Sequence, residues 1–133
     1  GIVSKGFFMI GIPEETEKSL QETLEFMKSI PLDEMNVNFF TPFPGSKLYN
    51  EVLAEGHKPD FAAMSMQCIT YVPKELTSTV MKRYHKAMVF SFYVTLPKIL
   101  FFIKRGLTDV NECKRLWRSF KIFVNMQLSL NKD

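Results

Sequence analysis

The sequence predicts an α/β fold: two parallel strand–helix units belonging to a larger sheet, followed by an α-helical tail. Three observations carry this. Ser4 to Ile10 has strand composition and runs into a Gly11-Ile12-Pro13 turn and a helical pattern. Met35 to Thr41 alternates apolar and polar residues ahead of a Pro42-Phe43-Pro44-Gly45-Ser46 turn and a second helical pattern. From Pro73 onward most of the chain follows a helical period.

In the first helix Thr16 is the expected N-cap, Glu17 suits the first turn, and Leu20, Leu24 and Met27 share a face. Pro31 closes it. In the second strand Met35, Val37 and Phe39 point one way and Asn36, Asn38 and Phe40 the other. Ser46 is placed to cap a short helix running to about Glu55, with Gly56 behind it. Such an order predicts parallel strands joined by a right-handed crossover. Parallel strands covered on both faces are near-continuously apolar, so Asn36 and Asn38 predict a wet or ligand-lined surface on one side. An edge strand and the wall of an open barrel satisfy that equally. Two parallel strands also leave backbone groups bare at both outer edges, which predicts self-association through them.

His57 to Val72 is irregular, with Met64, Met66 and Ile69 as anchors. The tail is expected to start near Pro73 and Leu76 with a stripe of Leu76, Val80, Tyr84, Ala87, Met88 and Ser91. Lys82, Arg83 and Lys86 lie beside it. Ala87 to Ile103 is almost wholly apolar, but it is shorter than the ~20 residues of a bilayer span and contains Pro97 and Lys98. Pro97 is expected in the first turn of a helix ending at Gly106. Thr108 then caps a last helix with a seam of Cys113, Trp117, Phe120 and Val124. The organisation is therefore residues 1–72, two strand–helix units and the irregular segment, and residues 73–133, a basic and apolar helical tail.

A hydrophobic content of 46% with 13 Phe is ample for one packed core. Charge is uneven. Gly1–Pro73 holds five lysines against ten acids, whereas Lys74–Val124 holds eleven cations against three acids. An acidic front and a basic back attract each other, or direct the back toward an acidic surface. Phe92 to Ile103, with Lys98, Lys104 and Arg105, has two readings: contact with a membrane surface, or a helix pair buried against a partner domain that this sequence lacks. The basic helices come with no nucleic-acid-binding motif, so nucleic acid is not an expected partner. Cys68 and Cys113 have neither CxxC nor metal spacing and read as reduced thiols of a cytoplasmic protein. His57 and His85 stand singly, so no metal site is expected from them.

The Gly11 turn fails as a phosphate loop, because Ile12-Pro13 stand where lysine and hydroxyl belong and Glu14 and Glu15 would repel a phosphate. It also lacks the G-x-G-x-x-G dinucleotide fingerprint. Two readings stay open. Gly11 lets backbone approach a flat base while a carboxylate accepts from ribose hydroxyls, or the turn is simply a tight strand-to-helix connection with glutamates complementing the helix dipole.

Two signatures settle on a family resemblance: Gly11-Ile12-Pro13-Glu14-Glu15-Thr16, of the form Gly-x-Pro-x-Glu-Thr, and Thr41-Pro42-Phe43-Pro44-Gly45-Ser46-Lys47-Leu48-Tyr49, of the form Thr-Pro-x-Pro-Gly-[ST]-x-Leu-Tyr. At this spacing the stretch resembles the last two strand–helix units of the radical S-adenosylmethionine (SAM) core. It is similar to the cobalamin-binding branch, which includes the anaerobic magnesium-protoporphyrin monomethyl ester cyclase. The resemblance implies an incomplete, partial TIM-type barrel. It implies that Gly11, Ile12 and Pro13 contact the SAM adenine, and that Glu14 matches the acidic end of Gly-x-Ile-x-Gly-x-x-Glu, with Met9 at its Ile and Phe7 at its first Gly. Phe40 and Thr41 close the adenine side, and Asn36 and Asn38 face substrate in the lumen. SAM, a four-iron four-sulfur (4Fe-4S) cluster and cobalamin are then cofactors of the parent enzyme. Two cysteines are fewer than the three thiolates of the family's Cys-x-x-x-Cys-x-x-Cys loop. The chain alone is therefore expected to be inert, to bind no cofactor, and to need an upstream part of the same enzyme. The rival reading is a non-enzymatic interaction module that docks on a membrane or a partner through its basic helices.

Overall fold

The computed structural model describes residues 2–57, 65, 67–108, 114, 117–118 and 121. Among these, two strands and four helices follow in the order β1 (Lys5–Ile10), α1 (Glu17–Ser29), β2 (Glu34–Phe39), α2 (Lys47–Ala54), α3 (Ser78–Tyr93) and α4 (Leu96–Thr108). The mixed α/β class and the parallel pairing agree with the sequence reading. Lys5 lies opposite Glu34 and Ile10 opposite Phe39. The chain divides into two units, Gly1–Met88 and Val89–Asp133.

In the first unit the register is latched at both ends. The Asp33 and Glu34 amides donate to the Ser4 carbonyl at 3.1 and 3.0 Å, and the Ser4 amide donates to Asp33 Oδ2 at 2.8 Å. At the other end the Phe40 amide donates to the Ile10 carbonyl at 2.7 Å. Glu34 and Phe40 thus aim their amides at β1, and by alternation Met35, Val37 and Phe39 aim their backbone groups at the outer edge of β2. That edge is partly closed. His85, from α3, contacts the Val37 carbonyl through Nε2 at 3.2 Å, and its ring stacks on Phe39 with centroids 5.0 Å apart. A carbonyl can only accept, so Nε2 carries the proton. Among the described residues nothing comparable covers β1, which has β2 as its one strand neighbour.

The first helix starts as read. Thr16 Oγ1 accepts the Ser19 amide at 3.2 Å and Ser19 Oγ accepts the Thr16 amide at 3.0 Å, a reciprocal capping box. Leu20, Leu24 and Met27 are buried, as are Ile10, Met35, Val37 and Phe39 on the sheet. Ser46 caps α2 by accepting the Tyr49 amide at 3.1 Å, and Gly56 follows the helix in the left-handed region.

Three expectations for the tail need correction. The helix does not begin at Pro73–Leu76. Those residues make a turn closed by the Leu76 amide on the Pro73 carbonyl at 3.0 Å, and Thr77 caps α3 by accepting the Val80 amide. The buried stripe of α3 is also shifted. Met81, Tyr84, His85 and Met88 are buried while Val80 and Ala87 are half-buried, because a histidine and two methionines, rather than the smaller apolar residues, reach the interior. Finally, α4 does not stop at Gly106. It runs through it to Thr108, since glycine inside a helix costs about 1 kcal/mol but does not terminate it. Thr108 is therefore the last residue of α4 rather than a cap. Lys114, Trp117, Arg118 and Lys121 are helical with Trp117 exposed. Cys113, Phe120 and Val124 of the expected seam lie outside the described residues, as do Met64 and Met66.

In the second unit, rings join the end of α3 to α4: Tyr93 and Phe102 have centroids 5.8 Å apart, and Lys98 Nζ lies 4.8 Å above the Phe92 ring. No single helix among the described residues is long and apolar enough to cross a membrane, although α3 and α4 read together pass that test as a bent pair.

Candidate functional site

The carboxyl ends of β1 and β2 lie side by side, the position at which open α/β sheets hold ligands. Gly11 leaves β1 with φ +90°, where any side chain is strained. An ideal Cβ at Gly11 would also fall 2.4 Å from Met81 Cε and 3.8 Å from the Tyr71 carbonyl oxygen. The backbone conformation therefore demands glycine, and a larger residue would also have to displace the flexible end of the Met81 side chain. Glu14 takes φ +65°, uncommon for a residue with a side chain.

Glu15 closes the turn. Its amide donates to the Ile12 carbonyl at 3.1 Å, and its buried carboxylate accepts the Gly11 amide at 2.5 Å. Burial pushes the Glu15 carboxyl above its ordinary range, and the backbone groups of Gly11 and Ile12 pull it partly back. The Gly-x-Pro-x-Glu-Thr signature is thereby explained atom by atom. Gly11 makes the bend, Glu15 satisfies its amide, and Thr16 starts α1.

The facing strand end is equally built. Phe40 is buried with Val52, Tyr71 and half-buried Leu48, its ring 5.8 Å from Tyr71 and edge-on to it. Thr41 Oγ1 donates to the Ser65 carbonyl at 3.2 Å. Tyr71 Oη donates to Glu55 Oε2 at 3.0 Å, and Lys74 Nζ meets the other oxygen of Glu55 at 2.9 Å. Burial first, then the bond to Glu55 and its charge, push the Tyr71 hydroxyl up to about 12. The Lys74 ammonium first, then the Tyr71 hydroxyl, lower the Glu55 carboxyl. Tyr71 thus touches Phe40 with its ring and faces Gly11 with its carbonyl, tying the irregular segment across the strand ends.

Gly11 follows β1 and Phe40 follows β2, and the Phe40 amide on the Ile10 carbonyl sets these two strand ends side by side. Ile12 is 41% exposed and Glu14 is exposed, while the side chains of Phe40 and Thr41 turn inward. Asn36 and Asn38 lie on the sheet face that also carries Phe7 and Met9, each cross-strand partner to one of them. Asn36 is exposed and Asn38 half-buried, and Lys5 bridges to Glu34 at 3.9 Å along the same face. The sequence reading missed Glu15, Tyr71, Met81 and His85. Glu15 was legible, being the glutamate of the signature. The other three reach the strand ends or β2 from distant positions and carry no local signal. No group of three His, Cys, Asp or Glu residues able to hold a metal occurs among the described residues.

No protein-family model matches the chain. The chain is similar to an uncharacterized methyltransferase of Pyrococcus horikoshii, 27% identical over 80% of this chain. It spans about a quarter of that relative's length, 26%. The similarity is to a methyltransferase and is distant.

Proposed function

We propose that this chain is the C-terminal part of a radical SAM enzyme of the cobalamin-binding branch, whose β1–β2 pair forms one wall of the cavity for SAM and substrate. The parent reaction is methyl transfer rather than cyclisation, the choice that the similarity to a methyltransferase favours. One observation carries the reading: the sheet is one-sided. Its β2 edge is capped by His85, while its β1 edge has no further strand among the described residues, and Phe7 and Met9 stand 69% and 48% exposed beside Asn36 and Asn38. A strand with apolar residues on both faces belongs inside a covered sheet, so further strands of an incomplete barrel fit beyond β1.

The residues suit the adenosine end of SAM in part. The Gly11 amide is already held by Glu15, and Met81 occupies the space over the Gly11 α-carbon. What stays open is the Ile12 side chain, an apolar surface for a flat base, and the Glu14 carboxylate, an acceptor for hydroxyl or amino hydrogens. SAM supplies the methyl or radical chemistry when bound; these residues orient its nucleoside and exclude water from one side. Two cysteines do not fit a cluster, so no cluster chemistry is assigned to this chain.

The test uses the protein together with its upstream reading frame. A Cys-x-x-x-Cys-x-x-Cys sequence is expected there, and its absence would sink the proposal. In that longer protein Ile12→Asp is expected to weaken SAM binding by about tenfold, equivalent to about 1.4 kcal/mol of binding free energy. Unchanged affinity in calorimetry would remove the Gly11 turn from the SAM site.

A further inference from the structure

The apolar face of α4 has no use in the wall of a cavity. Leu96, Ile99, Leu100 and Ile103 recur at one-turn spacing along one side of the helix, and they are 70%, 42%, 57% and 54% exposed. The opposite side holds Phe101, Phe102 and Lys98, all half-buried: the Phe102 ring meets Tyr93, the Lys98 ammonium lies over Phe92, and Phe101 packs on Phe102. The helix thus packs inward with its aromatic side and presents aliphatic residues outward. Ordinary soluble packing would reverse this.

Charge selects the occupant. From Val89 to Thr108 the sequence contains three Lys or Arg and not one Asp or Glu. Exposed Lys104 borders the stripe, 80° around the ideal helix from Leu96 by the ~100° step per residue. Protein interfaces take their binding energy from Trp, Tyr and Arg and under-use Leu. A purely aliphatic stripe bordered by a lysine, on a segment without acids, is what an acyl boundary under acidic headgroups accepts. At 13 residues the helix is too short to span a bilayer but can lie in the headgroup plane.

We infer that α4 is an interfacial helix that seats Leu96, Ile99, Leu100 and Ile103 in an anionic lipid surface, holding the protein at the membrane without crossing it. This stands independently of the SAM reading, since it uses none of the strand-end residues.

Co-sedimentation of the full chain with lipid vesicles tests it. The chain is expected to pellet with vesicles of phosphatidylcholine mixed with phosphatidylglycerol, and much less with phosphatidylcholine alone or at high salt. Lys104→Gln should lower the partition about fivefold, the worth of one cation near such a surface. Leu100→Glu should abolish it while circular dichroism stays unchanged, because the position is exposed and takes little part in packing. Three results overturn the inference. The chain ignores the acidic vesicles; Leu100→Glu binds them as well as the parent, leaving only diffuse charge attraction; or light scattering shows a dimer that Leu100→Glu dissolves, in which case a second copy covers the stripe.

Discussion

The two faces of the β1–β2 sheet are both furnished with large side chains and meet different fates. On one face Ile10, Met35, Val37 and Phe39 are at most 8% exposed. They share the first unit with the buried stripes of α1 and of α3 up to Met88. On the other face Phe7 and Met9 lie open beside Asn36 and Asn38. Covering the first face requires only elements within this chain. The second has no such cover among the described residues, although β1, with Phe7, Phe8, Met9 and Ile10 in succession, has the composition of a strand buried on both sides. The strand pair is thus finished on one side and prepared for company on the other.

The largest expected effect breaks the finished face. Phe39 is 1% exposed and supports the His85 ring, so Phe39→Ala should cost about 3–5 kcal/mol in chemical denaturation. Phe7→Ala, on the open face, should stay within about 0.5 kcal/mol. Equal losses from the two would mean that the open face is covered in solution and would erase the contrast.

Next comes the turn that joins the faces at the strand ends. Gly11→Ala must carry a Cβ at φ +90° and against Met81 Cε, and a loss of about 1–3 kcal/mol is expected. Adding Met81→Ala removes the collision but not the backbone strain. The double variant should therefore be less destabilised than the sum of the singles, by about 0.5 kcal/mol or more. Strict additivity would show that α3 does not press on the turn.

These positions also show why some of the molecule was legible and some was not. Local chemistry gave away the caps at Thr16 and Ser46, the alternation of β2 and the parallel order, because each is decided within a few residues. Glu15 was within reach, since its partner is four residues back; it was passed over because Glu14 matched a different pattern. The phase of α3 was not legible. Whether Met81 and His85 or Val80 and Ala87 face the interior depends on a sheet forty residues upstream, and a histidine stacked on Phe39 looks polar in any periodicity count. Both family signatures turn out to be spent largely on backbone shape: Gly11 and Gly45 at positive φ, Glu15 on an amide, and Thr16 and Ser46 as caps. Their matching therefore speaks of a shared turn geometry more directly than of a shared ligand.

A smaller effect separates the two buried titratable groups that serve these regions. Burial lowers the His85 pKa, opposed in part by its bond to Val37, and its Nδ1 finds no partner among the described residues. The unfolded chain then takes up a proton first as pH falls. The stability His85 contributes is full above its ordinary value of about 6.5 and is lost as pH drops below it. Glu15 acts in the opposite sense. With its folded pKa raised, it loses stability as pH rises above about 4.5, where the unfolded carboxyl ionises first. A His85→Gln variant keeps a donor for Val37 but cannot be protonated, so the slope of stability between neutral and mildly acid pH should flatten. An unchanged slope would place the acid sensitivity elsewhere. Glu15→Gln should leave that slope and alter the region near pH 5.

The smallest expected effect concerns what holds α3 to the first unit. Arg83 pairs with Glu17 of α1, and both side chains are more than half exposed, 61% and 54%. Water screens such a pair and its two long side chains lose rotamer freedom, so exposed bridges contribute about 0–1 kcal/mol. Arg83→Gln should therefore move the denaturation midpoint barely, and the difference should vanish as salt is added. Burial of Met81, His85 and Met88 then accounts for the docking of α3, which is why the finished face of the sheet depends on apolar contact and not on charge. A loss of about 2 kcal/mol, persisting at high salt, would exceed what an exposed pair supplies. It would mean that the helix closing the β2 edge is clamped from its rim, and that the closed face is less a packed core than a lid held by one bridge.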